Sequence, residues 1–137
     1  MAAGAGAGAA SGVLAWRATG FDAFDDLLRS GEAVPVLSPE EERRFLLDSW
    51  HKSTSDTERM AWERHVEKHA RGRSALEYTA DARRFFLEHR DLATPSVLKD
   101  GTMGMRIKFK VTVDGTKRSI GGYWTPEGRV VTFFDRG

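Results

Sequence analysis

Apolar residues recur at helical spacing through the first two thirds of the chain and at every second position in the last third. The stretch "FDAFDDLLRSG" (21–31) places Phe21, Phe24, Leu27 and Leu28 on one helical face and ends on Gly31. "VPVLSP" (34–39) reads as an extended link. Ser38 then stands as an N-cap with Pro39 in the first helical position and Glu41 completing an S-x-x-E box. This predicts a helix over 39–50 carrying Phe45, Leu46 and Trp50. "STSDTERM" (53–60) opens another helix, with Ser55 or Asp56 as cap and acids in the first turn, where the helix dipole favours them. It is expected to run through Trp62, His65, Val66 and His69 and to stop near Gly72. A second capping box, Ser74 with Glu77, starts a helix reaching Arg90, whose buried stripe is Tyr78, Ala82, Phe85 and Phe86. "ATPS" (93–96) ends the helical half.

From Thr102 the period becomes two. In "MRIKFKVTV" (105–113), Met105, Ile107, Phe109, Val111 and Val113 point to one side, and Arg106, Lys108, Lys110 and Thr112 to the other. "DG" (114–115) signals a tight hairpin, and a strand over 116–124 follows. "TPEG" (125–128) is a turn with proline at its second position, and a last strand covers 129–135. The glycine pair 121–122 marks a bulge or a close approach of backbones, and Tyr123 and Trp124 beside it read as packing or as base-stacking groups. The fold class is α+β: N-terminal helices packed on a C-terminal three- to four-stranded antiparallel meander.

Composition narrows the classes. A chain of 137 residues, 40% apolar and 30% charged, is long enough to bury the core of one compact domain. No apolar run approaches the roughly 20 residues a spanning helix needs, so no membrane partner is expected. The opening "MAAGAGAGAASG" lacks a basic n-region and a leucine-type h-region, and reads as a flexible Ala/Gly tail rather than a signal peptide. There are no cysteines, which excludes disulfides, a thiolate nucleophile and Cys-based zinc sites. The net charge of +1 conceals an asymmetry: residues 1–50 carry four Arg against eight acids, and residues 51–137 seventeen Lys and Arg against twelve. The expected organisation is a flexible tail (1–20), an acidic helical leader (21–53) and a basic α+β body (54–137), the body being where an anionic partner would bind.

Chemistry concentrates in "RHVEKHARGR" (64–73), where His65 and His69 lie four apart on one helix face. The segment is not a zinc-protease helix, because Val66 stands where that motif needs glutamate, and Lys68 would repel a dication. Two readings of the imidazoles stay open on spacing alone: rings bordering the core, or proton-transfer groups. Imidazoles, an ammonium, a hydroxyl and the cationic strand face would together suit cleavage of an RNA phosphodiester without metal or other cofactor.

The order of three short motifs resembles the colicin D-like ribonuclease toxins, a part of the wider group that includes barnase, EndoU and RelE and often forms the C-terminal tips of bacterial polymorphic toxins. These are H-x-x-K-H at 65–69, a helix with a small residue and E-Y in "SALEYTADARRFF" (74–86), and D/E-G-x-x-x-T/S-x-F/W in "EGRVVTFF" (127–134). The resemblance covers residues 60–135, and the connection "ARGR" (70–73) is shorter than in many relatives. It implies His69 as the principal general acid/base, Lys68 as the cation at the phosphate and Thr132 as the hydroxyl near the scissile bond. It also implies His65 as a second proton-transfer or orienting group and Phe134 as an aromatic flanking the substrate. Arg106 and Lys108 match no motif position and enter as substrate-binding groups from the alternation alone. The implied function is a toxin-type endoribonuclease acting on tRNA or another structured RNA and leaving a 2′,3′-cyclic phosphate. It would act in the cytoplasm after secretion or delivery into a target cell, with a cognate immunity or antitoxin protein as partner. The alternative from the residues is a non-catalytic RNA-binding or protein-interaction module on the same fold.

Overall fold

The structure, a computed structural model, describes residues 36–135; the predicted tail over 1–20 and helix over 21–31 lie outside them. Helix α1 spans Pro39–Ser49, α2 Glu58–His69 and α3 Ala75–His89, followed by a 3₁₀ turn at Arg90–Leu92. Strands β1 (Thr94–Val97), β2 (Met103–Val113), β3 (Thr116–Trp124) and β4 (Val130–Phe134) form one antiparallel sheet in the order β1-β2-β3-β4. The fold is therefore α+β, helices first and a four-stranded meander after them.

Local chemistry explains where the helices start. Both predicted capping boxes form: the Ser38 hydroxyl accepts from the Glu41 N–H while the Glu41 carboxylate accepts from the Ser38 N–H, and Ser74 and Glu77 do the same. The cap of α2 is different from the expected Ser55 or Asp56. Thr57 takes that role, accepting from the Met60 N–H at 3.1 Å, because the Ser55 hydroxyl is engaged by Arg64 at 2.9 Å. "ATPS" also does more than end the helices, since Thr94–Val97 pairs with Met103–Arg106 as an edge strand. Pro95 is tolerated there because an edge strand leaves one row of N–H positions without a ladder partner.

The alternation in β2 holds where the strand meets the body. Ile107 is 1% exposed and Met105 and Phe109 pack against the core, but Val113 is 38% exposed. Beyond the reach of β1 and β4 the hairpin leaves the core behind, so its apolar side has nothing to face. At its tip Asp114 and Gly115 both have positive φ, as a two-residue type I′ turn requires.

The core lies between α3 and one face of the sheet. The Phe85 ring stacks on Trp124 and on Phe109, each at 5.7 Å between centroids, and the Trp124 indole donates to the Ala82 carbonyl. Helix α1 belongs to this core although it falls in the segment expected as a leader. Phe45 and Trp50 are fully buried, the Trp50 indole donates to Thr79 Oγ1 at 2.9 Å, and the His51 N–H donates to the Val130 carbonyl. Gly121 and Gly122 let three strands approach: a Cβ would sit 2.0 Å from the Ile107 carbonyl oxygen at the first and 2.1 Å from that of Thr132 at the second. Of the two readings of this pair, the close approach is the one that holds at the glycines, which pair in regular register; the register slips beyond them, between Tyr123 and Trp124.

The register also sorts the opposite, outer face. Thr94, Arg106, Tyr123 and Thr132 are successive cross-strand partners, and Lys108, Gly121 and Phe134 form the next such row. Among the described residues no helix is long and apolar enough to cross a membrane.

Candidate active site

A cleft of about 380 Å³ opens where α2 meets the outer face of the sheet. Its floor is Tyr123, Val131 and Thr132, and α2 contributes Arg64, His65, Lys68 and His69. The loop 52–55 and the segment Ser96–Lys99 close the remaining sides. Helical geometry explains the α2 contribution, since positions 61, 64/65 and 68/69 recur on one face. Trp62 is buried on the neighbouring face, with Val66 half-buried against the core. The imidazoles thus lie at the seam between core and cleft, which is where both readings of the spacing would put them.

His65 is the more constrained of the two. Its Nδ1 lies 2.8 Å from the Ala61 carbonyl, which can only accept, so Nδ1 carries the proton and the neutral ring keeps its lone pair on Nε2. The ring sits 5.5 Å from Trp50 and 6.1 Å from His69. Burial, opposed by the Ala61 hydrogen bond and reinforced by His69, Arg64 and Lys68, lowers the His65 pKa below 6.5. His69 is lowered as well, by burial first and then by Lys68 and Arg71. Its ring lies 6.2 Å from that of Phe134.

The loop that follows His69 is held by a single cation. Arg73 Nη2 and Nη1 bind Asp135 at 2.7 and 3.2 Å, Nη1 also meets Asp81 at 2.8 Å, and Nε donates to the Ala70 carbonyl. The guanidinium further covers the Tyr78 ring at 5.2 Å, and the Tyr78 hydroxyl donates to the Phe133 carbonyl. These contacts tie the end of α2, which carries Lys68 and His69, to α3 and to the end of β4. The shortness of "ARGR" is matched by this direct tether.

Of the residues singled out by sequence, His65, Lys68, His69 and Thr132 line one cleft. Arg106, Lys108 and Phe134 do not line it. Arg106 stands beside Tyr123 on the same face, and Lys108 and Phe134 flank Gly121 one row further along the hairpin. Lys52, Arg64, Lys99 and Tyr123 complete the cleft and had no motif to mark them, apart from the aromatic character of Tyr123. No Asp or Glu is among the described lining residues, whose fixed charges, Lys52, Arg64, Lys68 and Lys99, are all positive. Among the described residues, no three His, Asp or Glu side chains gather as metal ligands. Chemically the arrangement offers two imidazoles near their titration range, several fixed cations, a hydroxyl and an aromatic ring.

The chain is similar to the tRNA(Glu)-specific nuclease WapA of Bacillus subtilis subsp. natto (strain BEST195), with 35% identity over 88 residues. That alignment covers 61% of this chain but 3% of WapA, so the chain corresponds to a small part of that relative's length. No protein-family model matches the chain, and no solved structure does.

Proposed function

We propose that this domain is a metal-independent endoribonuclease of toxin type that cleaves tRNA. The observation that carries the reading is the cleft itself, which gathers two imidazoles, Lys68 and Thr132 without a carboxylate among them. Similarity to part of a nuclease named for tRNA(Glu) supports tRNA as the substrate class.

In this mechanism the Nε2 lone pair of His65 removes the proton from a ribose 2′-hydroxyl. The O2′ oxygen attacks the adjacent phosphorus, the P–O5′ bond breaks, and protonated His69 delivers a proton to the departing O5′. Lys68 stabilises the charge on the equatorial oxygens, and the Thr132 hydroxyl positions one of them. The products are a 2′,3′-cyclic phosphate and a 5′-hydroxyl end. The fixed cations do the electrostatic work that a metal ion does in other nucleases. Incubation of the purified protein with tRNA in EDTA is expected to yield those ends, while 2′-deoxy substrate stays intact. Failure of wild type to cut tRNA under any metal condition would remove the reading.

The pH profile follows from the two lowered pKa values. One imidazole must be neutral and the other protonated, and in the free protein both lose their protons below 6.5. The kcat/KM of the domain is therefore expected to peak on the acid side of 6.5 and to decline through neutrality as His69 deprotonates. A bound phosphate favours imidazolium, so kcat should peak at higher pH than kcat/KM. A kcat/KM optimum above neutrality would contradict the assignment.

Outside the cleft, Arg106 and Lys108 are placed to hold the RNA backbone along the hairpin. Replacing either with alanine is expected to weaken tRNA binding for all sequences alike and to reduce the salt slope of log K by roughly 1 per charge. An unchanged slope in fluorescence anisotropy titrations would take them out of the interface. Cytoplasmic action after delivery and an immunity protein masking the cationic cleft belong to the same proposal.

A further inference from the structure

The imidazoles and Thr132 occupy only part of the cleft. The remainder is walled by two turns, 51–55 and 97–102, which bring in Lys52, Ser53, Thr54 and Lys99, with Ser96 of β1 and Arg64 of α2 beside them. Both turns are braced. The Ser53 N–H donates to His51 Nδ1 at 3.0 Å, which leaves His51 Nε2 as the protonated nitrogen facing Asp100 at 3.4 Å. Asp100 also accepts from the Thr102 N–H and hydroxyl, and Arg64 donates to Ser55 Oγ. The His51–Asp100 contact thus latches one wall to the other. Between them, His51 and Thr102 engage both oxygens of the Asp100 carboxylate.

A volume of about 380 Å³ is more than one phosphate fills and falls in the range of pockets that enclose a small organic ligand, roughly 300–1,000 Å³. A nucleotide lying across it, with one phosphate at the imidazoles, carries its other phosphate toward the far end. We infer that Lys52, Arg64 and Lys99 form a second phosphate subsite that holds the phosphodiester next to the one cleaved. The inference rests on the ribonuclease reading for its substrate. It adds that the domain grips two successive phosphates and discriminates against a substrate that offers one.

Binding of uncleavable 2′-O-methyl dinucleotides tests this without requiring catalysis. One probe has a single internal phosphate, and two others add a phosphate at the 5′ or the 3′ end. Wild type is expected to bind one of the two-phosphate probes roughly tenfold tighter than the single-phosphate probe. The salt slope for that probe should be steeper by about 0.7. The double variant Lys52→Ala/Lys99→Ala is expected to bring the affinity ratio close to one. Lys108→Ala, which removes a cation outside the cleft, should keep it, and so should His69→Ala. Equal affinity of wild type for all three probes, or a preference that survives the double variant, would overturn the subsite. If the protein cuts no RNA, the ratio still reports on the subsite, so the two proposals fail separately.

Discussion

His69→Ala is expected to slow cleavage of tRNA by about 10²–10⁴-fold, the range for loss of one positioned acid or base. The ring is partly exposed at the end of α2 and lies beside the rings of His65 and Phe134, so its removal should leave melting nearly unchanged. His65→Ala should produce a similar rate loss, but with a measurable cost in stability. Its ring packs on Trp50, and its Nδ1–H satisfies the Ala61 carbonyl. Because both groups act on the same proton inventory, the double variant should fall well short of the product of the single effects. Single-turnover rates on tRNA, read beside thermal melts, separate these outcomes. Equal rates in wild type and His69→Ala would take His69 out of the chemistry, and no cleavage by wild type would leave a binding module on this fold.

Trp50→Ala should have the largest effect on the fold, about 3–5 kcal/mol. The side chain is fully buried, and its truncation leaves a cavity bounded by His65 and Tyr78 and removes the donor to Thr79. The same change removes the ring that backs His65, so residual activity should fall further than the unfolded fraction explains. Urea denaturation followed by circular dichroism measures the first effect, and activity per folded molecule the second. For the same reason a deletion through residue 50 is not expected to yield a folded body. It would strip Phe45, Leu46 and Trp50 from the core and remove the Trp50 bridge to Val130. A Trp50→Ala protein with wild-type stability would show that α1 is not integral.

Much of the fold was legible because the signals were local. Two capping boxes, the Asp114–Gly115 turn and the alternation through Ile107 depend on contacts within a few residues, and all are present. Strand β1 escaped notice because four residues with a proline carry no periodicity, and only pairing with β2 makes them a strand. The cap of α2 was missed among Ser55, Asp56 and Thr57, three residues of nearly equal capping preference; the distant Arg64 decided it by taking Ser55. The expected exposure pattern failed at Val113 since burial depends on how far neighbouring strands extend.

The candidate site divides along the same line. Helical spacing put His65, Lys68 and His69 on one helix, and motif order suggested Thr132 as their companion. Nothing in the chain marked Lys52 or Lys99, which two turns bring to the cleft beside Arg64 of α2. By itself, then, the sequence determined the three described helices, the capping boxes of two of them, the meander and the chemical types available for catalysis, since those follow from short-range hydrogen bonding and periodicity. Only the tertiary structure decided that α1 joins the core and that Lys52 and Lys99 face the cleft. Each of these depends on cross-strand register and on contacts between residues far apart in the chain, which no local pattern encodes.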